Sequence, residues 1–315
     1  MPRPLNIFCN FSHDAPAVEL LRRETSAHNL ILASDGPPDP SPIDVAFGQP
    51  DLQAVLAAPS LSWVHLSSAG YTRYDSDEVR AALKGRDAQL TNSSHVFDEP
   101  CAQHLLAMML ALSRGLLPCY QAQIGERDWN DARHRANSFL LREQQVLVLG
   151  LGAIARRLAE MLRPFDMKIT AVRRHPEPFA GIEVIGEDGL EAALRRADHV
   201  VSTLPDSPST RRWMDAEKFG AMKPGAFFYN VGRGTTVDQD ALLQVLEADH
   251  LGAAYLDVTD PEPLPPEHPL WRAPKCFITP HTAGGHRGEA QNVVRHFIAN
   301  LRRFEAGEPL ADRVF

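Results

Sequence analysis

Cysteine is scarce. Four thiols occur in 315 residues, Cys9, Cys101, Cys119 and Cys276, and no two form a CxxC pair. A chain of this length needs no disulfide framework, and isolated cysteines among apolar neighbours read as reduced, mostly buried thiols. Long apolar runs are missing too. The start MPRPLNIFCNFSHD lacks an apolar segment of signal-peptide length, and HLLAMMLALS is far too short to span a bilayer. Positive charge is not in excess, since the formal net charge is −8, which argues against a nucleic-acid surface. The 25 prolines are scattered through turns rather than massed in a low-complexity tract. What remains is a cytoplasmic globular protein with neither membrane nor nucleic-acid partner, long enough for two domains with buried cores.

Short apolar runs alternate with helical patterns along the chain. LNIFCN, LILA, VAFG, SWVHL and AQLTN read as strands around the amphipathic helix APAVELLRRETSA, with the polar loop SSAGYTRYD among them. DEPCAQHLLAMMLALSRGLL reads as one long helix, apolar and buried over most of its surface, with Met108 and Met109 as core. QQVLVLG is a continuous apolar run, as a central parallel strand requires. Helices then interleave with the strands MKITAV, HVVSTL, AFFYNV, GAAYLDV and CFITP. That alternation predicts an α/β fold with a doubly wound parallel sheet. A last helix, EAQNVVRHFIANLRRFEAG, is expected to return to the first unit.

VLVLGLGAIARR sets Gly150, Leu151 and Gly152 between a buried strand and the helix opening at Ala153 and Ile154. The first glycine permits a tight turn. The second lets backbone N–H groups approach a pyrophosphate, and Ala155 is small enough for close helix–strand packing. Arg173 lies 21 residues beyond Gly152, at the end of KITAVRRHP. An acidic residue there would bond the ribose hydroxyls of NAD. Arginine instead favours a 2′-phosphate, and Arg174 and His175 add to the field. The bland alternative is a solvated basic turn.

Three further stretches bear chemistry: NVGRGTTVDQDAL with Arg233, LDVTDPEPLPPEHPLW with Glu262, and ITPHTAGG with His281. Each begins at the C-terminal end of a strand, where open α/β sheets hold ligands. Taken singly, such side chains are mostly solvated loop groups. Arg233 to Glu262 spans 29 positions and Glu262 to His281 spans 19, in fixed order behind a nucleotide turn. His281 and His286 in HTAGGH lack a third ligand at recognisable spacing, so no metal is expected.

With these motifs the chain resembles the D-isomer-specific 2-hydroxyacid dehydrogenases over nearly its full length, from SSAG to TPH. The resemblance implies a Rossmann-type cofactor domain at 98–286 and a smaller, discontinuous flavodoxin-like substrate domain at 1–97 and 287–315, closing on a cleft. It implies hydride transfer from a reduced nicotinamide to a 2-oxo acid, with His281 as general acid/base and Glu262 orienting it. Arg233 would hold the carboxylate and polarise the carbonyl. Ala69 and Gly70 would cradle the carboxylate by backbone amides, and His13 and His286 would reach toward the substrate. Beside the turn at Gly150, Leu151, Gly152, Ala153 and Ile154, the implied cofactor contacts are Leu204, Pro205, Thr210, Val231 and Asp257. A homodimer through the cofactor domain is implied as well, with residues 116–141 as its arm.

The sequence departs from the family pattern in three places. Arg173 replaces the acidic residue, favouring NADP(H) over NAD(H), although NAD(H) remains open. Gln103 stands where many members have glutamate, and the regulatory extension of some phosphoglycerate dehydrogenases is not expected beyond LADRVF. The expectation is an NADPH-preferring reductase of glyoxylate or hydroxypyruvate. An NAD-linked enzyme for lactate-type or other 2-oxo acids is the alternative within this chemistry, and a non-catalytic dinucleotide sensor is the alternative outside it.

Overall fold

Asp14, Asp51 and Ser76 mark the first helix starts because each accepts a hydrogen bond from a backbone N–H of the first helical turn. A computed structural model describes residues 3–11, 14–36, 42–125, 127–179 and 181–315. Along the chain run β1 (Asn6–Cys9), α1 (Ala15–Glu24), β2 (Asn29–Leu32), β3 (Val45–Gly48), α2 (Leu52–Ala57), β4 (Trp63–Leu66), α3 (Asp77–Lys84) and β5 (Gln89–Thr91). Next come α4 (Ser94–Ser113), α5 (Leu116–Ile124), α6 (Asp131–Ala136), β6 (Gln145–Leu149), α7 (Ala153–Leu162), β7 (Lys168–Val172) and β8 (Glu183–Ile185). The series continues with α8 (Leu190–Arg196), β9 (His199–Ser202), α9 (Ala216–Ala221), β10 (Phe227–Asn230) and α10 (Gln239–Glu247). It ends with β11 (Ala253–Leu256), β12 (Cys276–Ile278) and α11 (Glu289–Ala306).

The chain forms two compact units, Met1–Phe97 with Gly285–Phe315, and Asp98–Gly284. In the first, five parallel strands lie in the order β2-β1-β3-β4-β5, a flavodoxin-like sheet. Its sequence-distant helix α11 belongs to this core. Val293, Val294, Phe297, Ile298 and Leu301 pack with Ile7, Val45, Phe47 and Trp63. The Phe297 ring stacks on Phe47 at 4.2 Å between centroids and on Trp63 at 5.2 Å.

The second unit carries seven parallel strands in the order β12-β11-β10-β9-β6-β7-β8. The order reverses between β6 and β9, which gives a Rossmann-type switch point beside the end of β6. β6 and β9 are buried almost throughout because helices cover both faces of the sheet. Among the described residues no single helix is long and apolar enough to cross a membrane.

The structure corrects several expectations. The single helix expected over 98–117 is α4, which starts earlier and stops at Ser113. Gly115 in the left-handed region (φ 62°) then redirects the chain into α5 at an angle of 69°. α4 buries one stripe, Cys101, Ala102, Leu105, Met109 and Leu112, so Met109 is core and Met108 only half-buried. β8 is an edge strand of three residues, too short for period-two alternation to reveal. Three thiols are shielded to some degree, but Cys119 on α5 is exposed.

Phe297→Ala removes the ring that fills the space between two strand aromatics and should destabilise the protein by about 3–5 kcal/mol in denaturant unfolding. A loss under about 1 kcal/mol would show that the α11 core collapses without cost.

Candidate active site

The turn after β6 is fixed by its neighbours. Gly150 donates its N–H to Val172 O at 3.1 Å and adopts φ +89°, with Thr203 Oγ1 only 3.3 Å from where a Cβ would stand. Gly152 opens α7, and nothing lies within 4 Å of its missing Cβ. Between them Leu151 is buried, Ala153 and Ile154 are half-buried, and Ala155 is wholly buried. Backbone approach is therefore open at Gly152 on the exposed side, at the start of a ten-residue helix.

Arg173 follows β7, its N–H bonded to Ile185 O at 3.0 Å and its guanidinium 3.7 Å from the exposed Glu177 carboxylate. Arg174 reaches across to Ser209 Oγ at 2.7 Å, joining the end of β7 to the loop after β9. In that loop Leu204 is half-buried and Pro205 exposed. Thr210 is buried, and its hydroxyl donates to Pro205 O at 2.6 Å, so this side chain closes the loop on itself. His175 is exposed.

Arg233 sits between two glycines that no larger residue could replace in place. A Cβ on Gly232 would fall 2.5 Å from Leu204 O, and one on Gly234 would fall 1.9 Å from Thr259 O. Buried Asn230 donates to Arg233 O at 3.0 Å and accepts from Gly232 N at 3.1 Å, while Thr236 Oγ1 donates to Arg233 O at 2.7 Å. The guanidinium, half-exposed, donates to Gly232 O at 2.6 Å. Val231 is buried in the same turn.

Asp257 directly follows β11 and is only 3 % exposed. It accepts from Thr279 Oγ1 at 2.5 Å, Thr282 N at 2.9 Å and Ala283 N at 2.9 Å, and its own carbonyl accepts from His281 N at 2.8 Å. Since Thr279 gives its one proton to Asp257, Tyr255 must donate to Thr279 Oγ1, 2.6 Å away. Burial pushes the Tyr255 phenol well above its ordinary pKa, and its ring stacks against His104 of α4. Cys101, also on α4, is pushed up to about 12, by burial first and then by the field of Asp257.

This stapled loop carries His281 in a left-handed conformation (φ 53°), uncommon for a residue with a Cβ. His281 Nδ1 lies 2.9 Å from Glu262 Oε2, and the other Glu262 oxygen accepts from Thr259 N at 3.0 Å. Gln239 at the start of α10 brackets Asp260 through both its N–H and its C=O. Arg233, Glu262 and His281 thus occupy loops after the adjacent strands β10, β11 and β12, tied to one another by backbone contacts.

The remaining candidates lie in the other unit or elsewhere on α4. Ala69 and Gly70 follow β4, half-buried. His286 is exposed beside Asn292, and His13 lies outside the described residues. Gln103 donates to Glu99 at 2.6 Å, and Glu99 pairs with Arg157, which lowers the Glu99 pKa. Among the described residues no group of three or more His, Cys, Asp or Glu side chains could hold a metal ion. Sequence reasoning missed the supporting side chains Asn230, Tyr255, Thr236 and Thr279. The asparagine directly before a glycine turn was the available signal.

Gly234→Ala forces a methyl group into the Thr259 backbone and should lower the melting temperature by about 5 °C or more, whereas Gly152→Ala should leave it within about 2 °C. Equal melting temperatures for the two variants would contradict the packing described for the Arg233 turn.

Comparison with known proteins gives the arrangement its context. Residues 106–283 match the family model described as the D-isomer specific 2-hydroxyacid dehydrogenase, NAD binding domain. Glyoxylate/hydroxypyruvate reductase B of Escherichia fergusonii is 32% identical over 256 residues, 77% of this chain and 74% of the relative. D-3-phosphoglycerate dehydrogenase of Mycobacterium bovis is 31% identical over 269 residues, 84% of this chain but 49% of that relative. A D-isomer specific 2-hydroxyacid dehydrogenase from Xanthobacter autotrophicus Py2, solved in complex with NADPH and MES, superposes with a TM-score of 0.85 at 27% identity, covering 100% of this chain and 98% of its own. The chain therefore belongs to the D-isomer-specific 2-hydroxyacid dehydrogenase family, oxidoreductases that act on CH–OH donors with NAD(P).

Proposed function

We propose that the protein is an NADPH-preferring reductase of a small 2-oxo acid, glyoxylate or hydroxypyruvate, with His281 as the proton donor. The observation that carries this reading is the 2.9 Å pairing of His281 Nδ1 with Glu262, on a loop next to Arg233. With Nδ1–H on Glu262, the imidazole presents Nε2 to a substrate oxygen. Hydride to the carbonyl carbon is the chemistry that a bound reduced nicotinamide supplies. As the carbonyl becomes an alkoxide, Nε2–H of His281 gives its proton to that oxygen, and Glu262 holds the ring through the transfer. Arg233 offers a fixed positive charge to the substrate carboxylate and the polarised carbonyl. The same reading assigns the N–H groups of Ala69 and Gly70 to the carboxylate. A sensor has no use for a proton donor held by a carboxylate, which favours the enzyme over the non-catalytic alternative.

The residues fit a dinucleotide. Gly150, Leu151, Gly152, Ala153 and Ile154 would hold the pyrophosphate, because Gly152 leaves space for it and α7 directs N–H groups there. Arg173, with Arg174, would take the 2′-phosphate as a planar, permanently charged donor set. Leu204 and Pro205 would border the adenosine, with Thr210 shaping that loop. Val231 would meet the nicotinamide end, and Asp257 would serve it by fixing the His281 loop. The NADPH bound to the Xanthobacter relative supports the preference.

A homodimer through the 116–141 arm belongs to the same proposal. Of the six large hydrophobic side chains that stand exposed among the described residues, five fall there: Leu116, Tyr120, Ile124, Trp129 and Leu140. The same segment also contributes Pro118 and Phe139 to a groove of about 730 Å3 that is lined as well by Phe227 and Phe277. A second copy would cover this apolar surface. A cytoplasmic setting suits the four free thiols.

A panel of 2-oxo acids assayed with NADPH and with NADH should show turnover of glyoxylate or hydroxypyruvate, faster with NADPH. His281→Ala should lower kcat by about 10²–10⁴-fold and leave NADPH binding intact. Arg173→Asp should weaken use of NADPH far more than of NADH. Tight NADPH binding without turnover of any acid sinks the enzyme reading, and equal losses for both cofactors sink the role of Arg173.

A further inference from the structure

The loop after β4 is held by its carbonyls. Ser93 Oγ donates to Leu66 O at 2.8 Å, Ser93 N to Ser68 O at 3.0 Å, Asn92 Nδ2 to Ala69 O at 2.8 Å, and Ser68 Oγ to Gly70 O at 2.6 Å. Gln49 braces the same loop by donating to Ser67 Oγ at 3.3 Å and Ser68 Oγ at 3.0 Å. Its backbone is pinned on both sides by the Asn10 amide. Neither the Ala69 nor the Gly70 N–H has an acceptor among the described residues.

These two facts are one fact. In a trans peptide the C=O and the following N–H point in opposite directions. Holding Ser68 O on Ser93 turns the Ala69 N–H outward from that contact, and holding Ala69 O on Asn92 does the same for the Gly70 N–H. Asn92 is suited to this because it is 5 % exposed and both ends of its amide are engaged. Nδ2 takes Ala69 O, while Oδ1 accepts from Ser94 N at 3.2 Å and Ser94 Oγ at 2.9 Å, at the start of α4. Ser93 is wholly buried. The two residues leave a pair of adjacent N–H donors with no partner among the described residues, an arrangement suited to an anion.

We infer that Asn92 and Ser93 are positioning residues that set the Ala69–Gly70 amides for the carboxylate of the substrate. The inference rests on the 2-oxo acid reading proposed above. It assigns to Asn92 an effect on substrate affinity although the side chain touches only backbone. Without its amide donor the 69–70 peptide is free to rotate, and a carboxylate then meets a carbonyl in part of the population.

Asn92→Ser separates this role from helix capping. Serine keeps an oxygen for the first turn of α4 but cannot reach Ala69 O. The probe is oxamate, an unreactive analogue of a 2-oxo acid, titrated calorimetrically into the NADPH-loaded enzyme, alongside steady-state kinetics with the best acid. Expected are increases of about tenfold in both the oxamate Kd and the substrate KM, with kcat and the NADPH Kd changed less than about threefold. Ser76→Ala, which removes the cap of α3 in the same unit, controls for lost stability and should leave the oxamate Kd unchanged. If the wild type binds oxamate and Asn92→Ser binds it equally well, this inference falls alone. If the wild type neither binds oxamate nor reduces any acid, the functional reading falls and takes the inference with it. Equal loss of affinity in Ser76→Ala would reduce the effect to stability and overturn the inference.

Discussion

The buried carboxylate of Asp257 is the contact on which the loops carrying Arg233, Glu262 and His281 depend. It binds a side chain and two backbone amides of the segment from Thr279 to Ala283, and its own main chain joins β10 through Asn230. A carboxylate on a residue only 3 % exposed is costly unless its oxygens are satisfied, so the loop must adopt the path that satisfies them. That path places His281 in a left-handed backbone conformation. The strain is local, and the surrounding hydrogen bonds hold it.

The remaining geometry follows by close approach of backbone to backbone. Gly234 lies against Thr259, and Gly232 lies against Leu204. Arg233 is thereby fixed between the loop after β9 and the loop that supplies Glu262. Thr259 connects the two contacts, since its carbonyl meets Gly234 and its N–H holds the Glu262 carboxylate. Three ionisable side chains far apart in sequence owe their mutual placement to small residues and main-chain atoms. The arrangement needs little packing of the ionisable groups themselves, which stay partly exposed for a ligand to reach.

Much of this was legible in the sequence. The Gly150–Gly152 turn could be read because a glycine motif between an apolar strand and a helix has few other uses. Arg233, Glu262 and His281 could be read because each lies in a loop that follows a strand and their order matched a known family. The supporting residues were harder. Asn230, Thr236, Tyr255 and Thr279 act by hydrogen bonds to atoms 2 to 24 positions away, which no local periodicity reports. The same holds for Asn92, whose partner Ala69 lies 23 residues earlier. Apolar pattern alone could not show that α4 ends at Ser113, since Leu116 and its neighbours continue the hydrophobic composition past the left-handed Gly115. Nor could it distinguish a buried stripe from apolar surface left exposed on α5.

The central claim is that Glu262 acts through His281 rather than on the substrate. A double-mutant cycle on kcat/KM with Glu262→Gln and His281→Ala tests it directly. Removing Glu262 should cost much of the activity in the wild-type background and nothing further once His281 is gone. Full additivity of the two losses would contradict the account, because it would mean that Glu262 works on the reaction independently of the imidazole it holds.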